Sequence, residues 1–216
     1  MLLELIAQRF MRGANNNRQE ARGTILGSLA VAQTELPLGE VTRAGRFYVG
    51  GLQLAANAIA PDTSLPTTTA KLALFNGEPD GGKTYFIDHA HLFLASGTAA
   101  AGLTAWAAVS KGKLATAVAA MATGFDVAAA RGLQGNSNAK FGTAVTLPAG
   151  TVWHSLGGGY QAAAANFGQS DQPWEIRGGL AVPPGYALGL AVLSGAGTTP
   201  LYGWSLRWAE LETDLE

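Results

Sequence analysis

The 216-residue chain contains no cysteine. That absence excludes a disulfide framework, a thiolate zinc site and a thiol nucleophile, so packing and assembly must supply the stability. Charge is also scarce: Asp, Glu, Lys and Arg make up 13% of residues, about half the ~25% of an ordinary soluble domain. A surface so poor in charge is expected to be partly hidden by other subunits. The 14 basic residues nearly balance the 15 acidic ones, which leaves no field to attract nucleic acid by counterion release. No apolar run approaches the ~20 residues of a membrane-spanning helix. The stretch from Met1 to Gly13 is interrupted by Glu4, Arg9 and Arg12 and lacks the marks of a signal peptide. The expectation is a soluble protein bound to neither DNA nor membrane.

Glycine (29 residues) and hydrophobic residues (48%) are plentiful, enough for a sizeable core. Leu2, Leu3, Leu5, Ile6 and Phe10 fall on one side of a helix. A polar run, Asn15 to Glu20, follows. Residues 1–26 therefore read as a short helix and arm, with Leu2, Leu5, Ile6, Arg9, Phe10 and Arg12 as its candidate assembly contacts.

From Gly27 the texture changes to short Val-, Leu-, Thr- and aromatic-rich segments separated by Gly, Pro, Asn and Asp. The pattern predicts strands at Ser28–Thr34, Arg46–Ala55, Ala70–Asn76, Thr84–Ala95, Gly102–Ser110, Lys113–Ala122, Ala139–Leu147, Thr151–Ser155, Trp174–Val182, Ala187–Leu193 and Gly203–Leu211. Within Leu114 to Ala130 alanine favours helix while Thr, Val and Gly favour strand; we read it as strand. The fold class expected is all-β: an antiparallel, jelly-roll-like β-sandwich over residues 27–216, with an extended N-terminal arm or short helix.

The last three predicted strands read as an antiparallel meander turned by Pro183-Pro184-Gly185 and Gly195-Ala196-Gly197. Trp204, Leu206 and Trp208 alternate with Ser205, Arg207 and Ala209, as in a strand with one buried face. Glu210, Glu212, Asp214 and Glu216 then read as a solvated acidic tail.

Candidate chemistry is thin. His89 and His91 share a strand face at i and i+2, the spacing of a metal chelate, and His154 is the remaining histidine. The pair is similar to the His-x-His strand of cupins, but Leu94, Ala95, Ser96 and Gly97 stand where that pattern wants a Glu. The reading is therefore no metal, no cofactor and no catalytic residue. Gly157-Gly158-Gly159 lacks the Lys-Ser/Thr of a phosphate loop and reads as a flexible loop. Ser155 and Ser205 lack a nucleophile elbow. Glu78 and Asp80 sit in a Pro/Gly turn rather than a glycosidase dyad. Trp106, Trp153, Trp174, Trp204 and Trp208, with Tyr160 and Tyr186, suit a core or subunit contact, or alternatively a sugar-binding surface.

The order Arg177-Gly-Gly-Leu-Ala-Val-Pro-Pro-Gly-Tyr186, Ala187-Leu-Gly-Leu190, a Gly/Thr loop, then Trp204-Ser-Leu-Arg-Trp-Ala-Glu210 resembles the closing strands of jelly-roll virion proteins of tailed bacteriophages. What the resemblance implies is a capsid decoration or cement protein, not an enzyme. It would be a homo-oligomer, often trimeric, sitting on the major capsid protein in a virion assembled in the host cytoplasm. Another virion β-protein, a carbohydrate-binding module and a cupin-like metalloprotein are the alternatives.

Overall fold

The computed structural model describes residues 21–23, 29–31, 39–98, 102–130, 136–159, 172–195 and 198–212. The expected N-terminal helix, with Leu2, Leu5, Ile6, Arg9, Phe10 and Arg12, lies outside these residues. By its contacts the chain divides into Met1–Glu40 and Val41–Glu216. In the first unit β1 (Ala21–Gly23) pairs antiparallel with β2 (Leu29–Val31). Part of the expected strand Ser28–Thr34 thus belongs to this hairpin, and the expected boundary near residue 26 falls inside it.

A short helix, α1 (Gly39–Arg43), crosses the point of division, and the strands that follow belong to the second unit. Its strands are β3 (Phe47–Leu52), β4 (Thr69–Asn76), β5 (Lys83–Thr98), β6 (Leu103–Val109), β7 (Phe125–Ala129), β8 (Ala139–Thr146), β9 (His154–Gly159), β10 (Gln172–Val182), β11 (Ala187–Ser194) and β12 (Thr198–Glu212). They form two five-stranded antiparallel sheets, ordered β10-β5-β12-β3-β7 and β8-β4-β11-β6-β9. With β7 and β8 set aside, the eight remaining strands pair first with last: β3 with β12, β4 with β11, β5 with β10, β6 with β9. That nested wrapping is a jelly roll. The inserted β7 and β8 extend the two sheets past β3 and β4.

Between the sheets lies one apolar core that includes Tyr48, Leu72, Leu74, Ile87, Leu92, Phe141, Leu188, Leu190, Trp204, Leu206 and Trp208. The expected alternation along β12 holds: Trp204, Leu206 and Trp208 are all at or below 1% exposure. Aromatic faces meet in the interior, Tyr48 on Trp208 at 6.1 Å and Trp174 against Trp204 at 5.9 Å, geometries that add to the burial of area.

Three expectations are corrected. The last three strands are not a meander, because β10 and β12 flank β5 while β11 lies in the opposite sheet between β4 and β6. The sixteen-residue β5 offers both of its edges, and the Pro183-Pro184-Gly185 turn carries the chain across the core instead of back alongside. Gly185, at φ 80° with the Tyr186 amide donating to the Pro183 carbonyl at 3.1 Å, has the backbone that a type II turn requires.

The segment Lys113–Ala122 is not a strand. It runs as an irregular flap over the outer face of the second sheet, where Leu114 and Val118 pack with Ala70, Ala73, Phe75, Ala108, Leu147, Trp153, Ala187 and Ala191 in a second apolar cluster. The strand that the alanine-rich stretch does form is β7, at its end. Finally, Gly157–Gly159 is not a loop but the end of β9. A β-carbon on Gly158 would stand 2.6 Å from the Leu103 carbonyl oxygen, so the missing side chain allows the close backbone pairing.

Candidate functional site

The sequence-predicted histidines fall on different sheets. His89 and His91 lie half-buried on β5, and His154 lies exposed on β9 of the opposite sheet. A bulge sets the orientation of the first two. Across β5, Arg207 pairs with His89 but Trp208 with Ile87, so Asp88 has no opposite number. On the other side Glu175 pairs with His89 and Leu180 with Ile87, so Ile176–Gly179 loops out of β10. The tip holds Arg177 and Gly178 at φ 51° and 78°. The extra residue reverses the alternation, a known effect of bulges. Ile87 and Ala90 both face the core, and His89, His91 and Phe93 line up on the outer face.

The His89 and His91 rings stand 6.5 Å apart and His91 is 5.8 Å from Phe93. Burial first, and then the Arg207 guanidinium, hold the His89 pKa below its ordinary value. Glu175, the nearest carboxylate in register, is occupied by Arg177, whose Nε donates to it at 2.9 Å. Among the described residues no group of three or more His, Asp or Glu side chains is arranged to hold a metal ion. The pair reads as part of an outer sheet face that also carries Val49, Ser205 and Arg207.

The other candidates are placed as follows. Ser155 Oγ accepts from the Gly157 amide at 3.3 Å, and Ser205 lies across from His91 in register. Asp80 is paired with Lys113, and Glu78 accepts from Asn138 Nδ2 at 3.0 Å. Of the aromatics, Trp204 and Trp208 are fully buried, Trp153 nearly so, and Trp106, Trp174 and Tyr186 half-buried; Tyr160 lies outside the described residues. Beside the flap, Lys113, Val118 and residues 142–149 border a groove of about 820 Å³, lined chiefly by Ala, Thr, Val and Gly.

One buried polar cluster was missed by the sequence reading. Glu210 does not begin a solvated tail: it is the last inward residue of β12 and is fully buried. Its Oε1 accepts from the Ser137 hydroxyl and from Trp208 Nε1 at 3.2 Å. Among the described residues its Oε2 accepts no hydrogen bond, with the Lys83 ammonium 3.5 Å away. Tyr85, opposite Glu210 on β5, has a buried hydroxyl beside Ser137 that makes no well-formed hydrogen bond among the described residues. Nearby, the fully buried Asn76 donates through Nδ2 to the Lys83 and Val182 carbonyls, both at 2.8 Å, and accepts the Glu78 amide at 3.0 Å. Burial raises the pKa of Glu210 and, more strongly, that of Tyr85. The cluster ties β12, β5 and the 136–139 segment together at one end of the sandwich. The signal was present in the sequence, since 204, 206, 208 and 210 continue one alternation.

Fold and placement together define an antiparallel jelly-roll β-sandwich with Trp204 and Trp208 inside its core. Compared with known proteins, the chain matches no family model, and no curated protein is similar to it.

Proposed function

We propose that this protein is a structural virion subunit, a decoration or cement protein that binds an assembled phage capsid as a homo-oligomer, in keeping with a trimer. The observation that carries this reading is the nested first-with-last pairing of eight strands, a complete jelly roll. It extends through the strands from β3 to β12 the architecture that the closing residues Arg177–Glu210 resemble. Jelly rolls also serve lectins and metalloenzymes. Here the indoles that a lectin would present are packed inside or half-covered, and the histidines that a cupin would converge lie on opposite sheets. Low charge and a separate forty-residue N-terminal unit favour contact with other subunits. The mechanism is mechanical: a subunit that binds the assembled shell and not its dissociated parts stabilises the shell by mass action.

The test is the mass of the native particle with which the protein purifies, followed by heating of that shell with and without it. A megadalton particle that loses its contents at lower temperature when stripped of this protein supports the proposal. A strict monomer with no affinity for capsids overturns it.

A further inference from the structure

Glu210 sits where three separate pieces of chain meet. The Ser137 hydroxyl donates to Oε1 and in turn accepts the Ala139 amide at 3.0 Å, so the 136–139 segment is fastened to β12 through this one carboxyl group. Trp208 Nε1 donates to the same oxygen. The second oxygen faces Lys83 at 3.5 Å and accepts no hydrogen bond among the described residues, and the buried Tyr85 hydroxyl lies on the adjacent strand. The groups bearing on the site are Lys83 and Tyr85 from β5, Glu78 from the β4–β5 turn, Ser137 from the segment before β8, and Trp208 from β12. Arg46 reaches it only through its carbonyl, which accepts the Glu210 amide at 2.8 Å. A single cation at 3.5 Å, itself shared with Glu78 at 3.9 Å, is a weak counterweight to a fully buried negative charge.

We propose that Glu210 is a proton-operated latch: neutral, it seals this end of the sandwich beneath residues 136–139; ionised, it draws water to Oε2 and lifts that segment. Burial, which outweighs the Ser137 and Trp208 donors and the Lys83 ammonium that favour the charge, raises the Glu210 pKa, so the carboxyl group ionises at higher pH in the folded chain than in the unfolded one. The sign follows from linkage. A carboxyl group whose folded pKa lies above its unfolded value of about 4.5 binds more protons in the folded state, so stability falls as pH rises from the unfolded pKa through the folded one. Asn136 and Asn138 are exposed on either side of Ser137, so this segment meets water on the far side from Glu210.

The test compares wild type with Glu210→Gln in thermal unfolding from pH 4.5 to 8.5, together with amide exchange at Ala139 corrected for intrinsic rates. The melting temperatures should lie close together at pH 4.5 and diverge in favour of the variant, by about 3 °C per pH unit within the window of titration. Protection of the Ala139 amide should fall with pH in wild type, up to about tenfold per unit, and stay flat in Glu210→Gln. Lys83→Met, which removes the nearest cation, should prolong the loss to higher pH. Parallel melting curves with a constant offset, or a Lys83→Met profile superimposable on wild type, would overturn the latch.

Discussion

Single residues carry the balance of this fold in places that composition does not reveal. Asn76 is the clearest: one side chain satisfies two carbonyls from different strands and one amide of the following turn while wholly buried. Asn76→Ala leaves those groups unpaired, and we expect a loss of about 3 kcal/mol in urea unfolding. The same residue precedes Gly77, a sequence prone to deamidation when the chain is mobile, and its fixed amide should keep the folded protein free of the one-dalton mass gain that the urea-unfolded chain acquires. His89 works in the opposite direction to Glu210. Its folded pKa lies below the ordinary 6.5, so its contribution is present above pH 6.5 and is lost as pH falls from there towards the folded value. Melting temperatures from pH 8 to 5 should therefore fall less steeply in His89→Gln than in wild type; identical profiles would refute that role. None of these three roles was legible in advance, because burial of a polar side chain depends on which strands close over it, and only the period of 204, 206, 208 and 210 hinted at Glu210.

At the scale of elements, strand existence was readable and strand partnership was not. Val- and aromatic-rich segments between turns located β3 to β6, β8, β10 and β11 to within a few residues, since the two-residue period and the Gly/Pro punctuation are local properties, whereas β12 starts at Thr198 ahead of the expected Gly203 and β9 shares only His154 and Ser155 with its expected strand. The meander failed because pairing is decided by the core: β11 is buried on both faces, inward through Leu188, Leu190 and Val192 and outward through Ala187 and Ala191 beneath the flap. The flap itself misled because alanine and threonine can cover a sheet without joining it. The second apolar cluster is closely packed at Gly189, where a β-carbon would meet Leu147 Cδ1 at 2.8 Å, Ala70 Cβ at 3.0 Å and Trp153 Cη2 at 3.1 Å. Gly189→Val should destabilise by about 2 kcal/mol through overpacking, with the denaturant midpoint lowered and its slope unchanged.

For the whole molecule, the decisive quantity is which part of the chain carries stability and which carries contact. The sandwich from Val41 has a continuous core fed by every strand from β3 to β12, whereas the first forty residues form a unit of their own. A chain beginning at Val41 should therefore unfold cooperatively, with a melting temperature within a few degrees of the intact protein, because domains with their own core fold alone. If the N-terminal unit supplies the contacts expected of Leu2, Leu5, Ile6, Arg9, Phe10 and Arg12, the shortened chain should also fail to sediment with capsid shells that retain the full-length protein. The two outcomes separate fold from function. Loss of folding would mean that the first unit completes the sandwich, and retained binding would move the contact surface onto the sandwich, where the outer face bearing His89, His91, Phe93 and Arg207 is the next place to mutate.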